Sequence, residues 1–419
     1  MRRWTKKWAT PAMSMSLLGA LYACGSPDEQ TLFPPSADAS NDGVARDTGS
    51  IVIGPGDGDG GVVVQEPDGA VCAGTTQQAQ RLPLHLVVLF DKSSSMCQYD
   101  PADPSQAKRD CSRAESRWQV SASALTSFFS SPDTQGITVT AVAFPKRSSG
   151  SDTLAQRQAN VCQTKYYNGI NGDDSDGIND KEIDAIALPN ANAASGLIST
   201  PPTQTGMITP TKFAAKGGIS LAASIKSSTG VDTAVVLFTD GQPGWCEADS
   251  TPDSSANVNA ELQAGVSQGI STYVVGIVAS GDTDYAALRT SLNGFAAAGG
   301  SGSANIVEMS NPSLSATAIV DALNNIRTKA ASCDLAMPTS NGQGTVDPRK
   351  VNLLYTPGTG SARSLVASAD CSDPSGWRYD NPNAPTKIQL CPDICADLKA
   401  DRLARVDVVL GCLTAGGPQ

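Results

Sequence analysis

Four short runs, "LHLVVLF" at 84–90, "ITVTAVAF" at 137–144, "TAVVLF" at 233–238 and "STYVVGIV" at 271–278, are built almost wholly from apolar and β-branched residues. A strand with one face in water alternates apolar with polar residues. These runs do not, so each is expected to be a strand covered on both faces. The segments between them have the period of helices. "CSRAESRWQVSASALTSFF" at 111–129 offers Ser112 and Glu115 as a capping box and sets Trp118, Ala122, Leu125 and Phe129 on one face. "DTDYAALRTSLNGF" aligns Tyr285, Leu288, Leu292 and Phe295. "NPSLSATAIVDALNNIRTKA" offers Asn311 as an N-cap and Pro312 at the first helical position, then aligns Ile319, Leu323 and Ile326. Strands alternating with helices predict an α/β fold, a doubly wound, mostly parallel sheet over residues 82–331. In such sheets ligands sit at the carboxyl ends of the strands.

The sequence on either side of this block has a different character. Arg2, Arg3, Lys6 and Lys7, followed by the short apolar run "MSLLGALYAC", make residues 1–24 an expected export signal, too short to span a bilayer. "LYAC" resembles a bacterial lipobox. That resemblance implies a lipoprotein of the bacterial cell envelope, anchored through acylated Cys24 and addressed to the outer membrane; a plain signal cleaved elsewhere is the alternative. Residues 25–80 are rich in Pro, Gly, Asp and Ser and hold too few large apolar groups to offset chain entropy, so a disordered, solvated tether is expected. From 332 to 419, "VNLLYTP", "RSLVASADCS", "GWRYDNP" and "RVDVVLGC" are strand candidates among turn residues. They predict a smaller β-rich, disulfide-stapled C-terminal module.

Eleven cysteines, less a lipidated Cys24, leave an even number that can pair in an oxidising compartment. Proximity suggests Cys97 with Cys111, and Cys391 with Cys395 or their neighbours. Zinc held by "CPDIC" and Cys412 is the alternative, without a histidine nearby to help. The balance of 30 basic against 41 acidic side chains, a net charge of -11, repels phosphate backbones and argues against a nucleic-acid partner.

Oxygen donors gather where the strands end. Asp91 follows the first strand directly, and Ser93 and Ser95 come two and four residues later in the loop before the first helix. A second strand, "AVVLFTDGQ", ends in Thr239, Asp240 and Gly241, and Thr209 and Thr211 precede a helix between the two. Carboxylates and hydroxyls without cysteine or histidine select a hard cation, magnesium before manganese or calcium.

These three segments, in this order, resemble the metal ion-dependent adhesion site (MIDAS) of von Willebrand factor type A (VWA) domains. The resemblance implies that Ser93 and Ser95 bind the metal directly and that Thr209 binds it directly or through water, with Thr211 as its competitor. Asp91 and Asp240 would act mostly through bridging waters. Ser94 stands where the family usually has glycine. A partner's carboxylate would complete the coordination, so the implied function is metal-dependent adhesion to an acidic group of a protein or glycan ligand, coupled in the family to movement of the last helix, here 312–330.

Two insertions stand out. "CQYDPADPSQAKRDC" at 97–111 borders the strand ends and is expected to form a rim. "NGINGDDSDGINDKEIDA" carries Asp173, Asp174, Asp176 and Asp180. Asp174, Asp176 and Asp180 are candidate ligands for a second cation, calcium, although the register departs from an EF-hand and a solvated acidic loop is the plainer reading. A structural envelope protein without metal-dependent binding is one alternative function. A hydrolase using His85 as base is another, but no nucleophile elbow, phosphate loop or paired-carboxylate pattern supports it and no catalytic residue is assigned.

Overall fold

The computed structural model describes residues 53–55, 61–65, 71–103, 105–146, 153, 155–156, 161–169, 181–202, 208–244, 246, 254–282, 284–337 and 347–410. Cys24, Cys412 and the acidic loop with Asp173, Asp174, Asp176 and Asp180 lie outside them. Three strands come first: β1 (Ile53–Pro55), β2 (Gly61–Gln65) and β3 (Val71–Gln80). The four expected strands follow as β4 (Leu84–Asp91), β5 (Ile137–Phe144), β7 (Thr233–Thr239) and β8 (Thr272–Val278), joined by two that the sequence runs did not mark, β6 (Ile183–Ala187) and β9 (Asn305–Glu308). They form one sheet in the order β6-β5-β4-β7-β8-β9, parallel except where β6 pairs antiparallel with β5. The fold is doubly wound α/β, with β4 at its centre.

The alternation of side chains along β4 shows why both faces had to be apolar. Leu86, Val88 and Phe90 pack with Trp118, Phe128, Ile319 and Leu323 in one core, while Val87 and Leu89 pack with Phe213, Leu262 and Leu292 in the other. Helices α1 (Arg117–Ser130) and α5 (Pro312–Ala330) cover the first face. The second is covered by α2 (Thr211–Thr229), α3 (Ser255–Ser267) and α4 (Tyr285–Ala298). The expected cap of α5 holds: the Asn311 side chain accepts from the amides of Ser313 and Leu314. That of α1 moves by one turn. Ser116, not Ser112, caps it by accepting from Gln119 N at 3.1 Å, because Ser112 is engaged by Asp110 in the turn that closes the insertion.

The C-terminal strands β10 (Asp334–Ala336), β11 (Val351–Thr356), β12 (Arg363–Leu365), β13 (Trp377–Tyr379), β14 (Lys387–Leu390) and β15 (Arg405–Leu410) confirm a β-rich region. It also holds a helix that the strand reading omitted, α6 (Pro392–Ala400), started by Pro392 at its first position. Two bridges staple this region, Cys333–Cys395 and Cys371–Cys391. Cys391 and Cys395 therefore do not pair with each other. Four residues apart at the start of a helix, their Cβ atoms stand about 5–6 Å apart, beyond disulfide reach. With both thiols in bridges, neither is left for the zinc alternative.

The larger departure is at 71–80. These residues form β3 and not a tether, pairing antiparallel with β15 in the sheet β1-β2-β3-β15-β11-β12. The polar run "TTQQAQ" carries little apolar signal, and its order comes from main-chain pairing with a strand over 300 residues away.

Candidate metal centre at the strand ends

Parallel register brings the oxygen donors together. Phe90 lies opposite Phe238, so Asp91 and Thr239 leave the sheet side by side, and the Thr239 hydroxyl donates to Asp91 Oδ2 at 2.6 Å. The backbone then turns under Asp91: its Oδ1 accepts from Ser93 N at 2.7 Å. That turn brings the next two hydroxyls together. Ser93 Oγ and Ser95 Oγ stand 2.9 Å apart, and Ser95 Oγ donates to Asp240 Oδ1 at 2.8 Å. Thr209 comes from the loop before α2, held there by Gly244 N donating to its carbonyl at 3.1 Å. Its Oγ1 would lie 4.0 Å from a Cβ built on Gly241, and Ser95 Oγ would lie 3.9 Å from the same point. Both hydroxyls thus border the space that glycine leaves open. Thr211, the competitor, is fully buried with its hydroxyl directed at the Thr209 carbonyl.

The sequence-identified residues Asp91, Ser93, Ser95, Thr209 and Asp240 therefore meet at one place. Ser93, Asp91 and Asp240 are buried, and Ser95 and Thr209 are half-buried at its mouth. Burial, reinforced by the nearby charge of Asp240, pushes the Asp91 carboxyl up to about 7 despite the Thr239 and Ser93 hydrogen bonds that oppose the rise.

The donor set fits a small hard cation. It offers hydroxyl and carboxylate oxygens and no sulfur or nitrogen, and Ser93 Oγ, Ser95 Oγ and Asp240 Oδ1 form a hydrogen-bonded run at 2.9 and 2.8 Å. Among the described residues no group of three or more His, Cys, Asp and Glu side chains could hold a metal ion. A cation at this place would depend on hydroxyls, and would keep much of its positive charge.

Sequence reasoning missed two residues here. Arg117, in the first turn of α1, is buried and donates through Nη1 to Asp240 Oδ2 at 2.7 Å and through Nη2 to Asp282 Oδ1. Burial pulls its guanidinium down, but Asp240 and Asp282 together outweigh that and hold it above the usual arginine value. Each oxygen of Asp240 is thereby assigned, Oδ2 to Arg117 and Oδ1 to Ser95. Arg117 had a signal: a cation in a first helical turn opposes the helix dipole and needs a nearby acid to offset that cost. Asp282 had one too, as an acid just beyond a third parallel strand, β8.

His85 stays apart from this centre. It is the second residue of β4, six residues before Asp91 and about 20 Å away along the strand. Its Nε2 is 2.9 Å from Thr140 Oγ1, and burial, only partly offset by Asp184, pulls the ring down to about 4.

No protein-family model matches the chain, and no curated protein matches its sequence. Some solved structures resemble it in part. The pilus adhesin SpaC from Lactobacillus rhamnosus GG, in an open conformation, is 12% identical over 86% of this chain and 42% of the adhesin, with a TM-score of 0.41. BatB from Bacteroides thetaiotaomicron, described as a conserved hypothetical protein, is 15% identical over 58% of this chain and 98% of its own, with a TM-score of 0.32. The SpRpn10 VWA domain is 11% identical over 64% of this chain and its whole length, with a TM-score of 0.32. The chain spans about two-fifths of the adhesin's length. All three are likenesses of structure at low identity.

Proposed function

We propose that this chain is a binding protein of the VWA type that captures an acidic group of a partner through a divalent cation, magnesium in preference to manganese or calcium. Ser93, Ser95 and Thr209 would hold the cation, with Asp91 and Asp240 behind them. The observation that carries this reading is the chain Ser93 Oγ, Ser95 Oγ and Asp240 Oδ1 at the carboxyl ends of β4 and β7, with oxygen separations of 2.9 and 2.8 Å, backed by Asp91 beneath Ser93 and bordered across Gly241 by the Thr209 hydroxyl. Bound there, the cation would supply a positive charge open to a ligand carboxylate. Asp91 and Thr239 set the turn that presents the serines, and Arg117 fixes the Asp240 carboxylate. The partner would be a protein or glycan carrying such an acid.

A binding role fits better than catalysis because the single histidine lies at the opposite end of β4 from the oxygen cluster. An exported lipoprotein anchored at Cys24 to the envelope, in the outer membrane, is the setting consistent with the four disulfides among the described residues. Among the described residues no helix is long and apolar enough to cross a membrane. A second, calcium-binding site at Asp174, Asp176 and Asp180 remains part of the proposal on sequence grounds alone.

The test is calorimetric titration of magnesium into the purified protein and its Ser95→Ala variant, followed by a pull-down from envelope extract eluted with chelator. Magnesium uptake by the wild type, and its loss in the variant, is expected. Equal heats from both proteins, or capture that survives chelator, would remove the metal from the account.

A further inference from the structure

A cleft of about 320 Å³ opens beside Ser95, Asp240 and Gly241, and its far wall comes from the disulfide-closed insertion. That insertion is a short ribbon in which Gln98 and Arg109 face each other as an antiparallel bridge. Cys97–Cys111 closes it, and the Pro101 carbonyl accepts from Gly281 N at 2.9 Å, tying it to the loop after β8. Both facing residues line the cleft, and each has a buried polar atom without a partner: Arg109 Nε, a donor, and Gln98 Oε1, an acceptor. The other end of Gln98 is engaged, since its Nε2 donates to the carbonyls of Asp100 and Asp103. Unpaired buried polar atoms cost stability, so two of them at neighbouring positions beside a binding site point to a ligand that pairs them.

Arg109 also stands out by charge. Arg117, in the same cleft, is matched by two carboxylates, whereas no described carboxylate is within ion-pair distance of Arg109, in a chain with net charge -11. We propose that Arg109 and Gln98 form a second anchoring point of the cation site, specific for an acidic protein segment in which two acidic residues are neighbours. This rests on the binding role proposed above. One ligand carboxylate goes to the metal; the second accepts from Arg109, and the main-chain N–H between them donates to Gln98 Oε1. A peptide suits the cleft better than a sugar. Its lining residues include no aromatic ring on which the C–H face of a pyranose could stack, while a peptide offers the N–H that the Gln98 oxygen lacks.

The experiment compares acetyl-Asp-amide with acetyl-Asp-Asp-amide, both titrated into the full chain in magnesium, with the Arg109 Nε–Hε resonance followed by NMR. The diaspartyl probe is expected to bind about ten-fold more tightly, a difference of about 1.4 kcal/mol, from the added hydrogen bond to a charged group. It alone should shift the Arg109 resonance. Arg109→Gln should bring the diaspartyl probe to the monoaspartyl affinity and leave the latter unchanged, and Arg109→Lys should recover part of the difference. Equal affinities in the wild type, or a difference that survives Arg109→Gln, would overturn the second anchoring point while leaving the cation site standing. A digalacturonate probe that shows the Arg109-dependent gain where the diaspartyl probe does not would overturn the peptide assignment. No binding of either aspartyl probe would instead count against the metal site itself.

Discussion

At the scale of single residues, the centre is governed by how two buried carboxylates are neutralised. Asp240 and Asp282 have side chains only 0% and 8% exposed, and both rely on Arg117. Arg117→Met should cost about 3–5 kcal/mol in urea unfolding at pH 7, the usual penalty for leaving a buried charge without its partner. If a cation binds where proposed, magnesium should raise the unfolding midpoint more in this variant than in the wild type, because it replaces the lost positive charge. An equal magnesium effect in both would separate Arg117 from the cation site. His85 tests a different balance. Its ring titrates near 4 in the folded chain against 6.5 in the unfolded one. Between these values the unfolded state takes up a proton that the folded state refuses, so stability is full above pH 6.5 and falls as pH drops toward 4, by about 3 kcal/mol from this group. His85→Gln keeps a polar partner for Thr140 and removes the titration. Its stability should fall less steeply across that window, and superimposable pH profiles would show that His85 is not the source.

At the scale of elements, legibility followed the range of the forces that form each one. β4, β5, β7 and β8 could be read because burial on both faces is written into every residue of the strand. α4 and α5 could be read because Leu288, Leu292 and Phe295, or Ile319, Leu323 and Ile326, repeat with the helical period. Asp91, Ser93, Ser95 and Asp240 could be located because parallel strands of known direction put their carboxyl ends together. Arg117 and Asp282 carry only the weak signals of their places in a first helical turn and beyond a strand, and Arg109 carries none, since what they pair with is set by packing; Asp240 is 123 residues from Arg117. Gly217 in α2 shows the same limit. A glycine inside a helix should cost about 1 kcal/mol against alanine, yet a Cβ at this position would lie 2.6 Å from the Tyr167 carbonyl carbon and 2.8 Å from its oxygen. Backbone atoms cannot rotate away, and the segment that bears Tyr167 is tied down by Cys162–Cys246. Overpacking of about 1–3 kcal/mol then exceeds the helix gain. Gly217→Ala should lower thermal stability, and a stabilised variant would show that this segment yields.

At the scale of the whole molecule, the chain passes through its α/β unit and returns to where it began. β3 precedes the central sheet and β15 ends the described chain, yet they are neighbours, with Val406 opposite Gln80 and Leu410 opposite Thr75. The apolar core of this β region draws Leu82 and Ala331, from the two borders of the α/β unit, together with Leu353, Trp377, Ile388 and Val408. Among the described residues, the two cores of the α/β unit draw on residues from 84 to 330. Removing everything before residue 81 should therefore leave the helix-covered sheet folded while baring one edge of β15. Unpaired edges invite pairing with other chains. Hydrogen exchange at the β15 amides that bond to β3 should accelerate, exchange along β4 and β7 should stay slow, and size-exclusion chromatography should show association that rises with protein concentration. Unchanged protection in β15 would mean that β11 alone holds it. Accelerated exchange in β4 would mean that the two parts unfold as one cooperative unit, and that the N-terminal strands support the oxygen cluster as well as the sheet they complete.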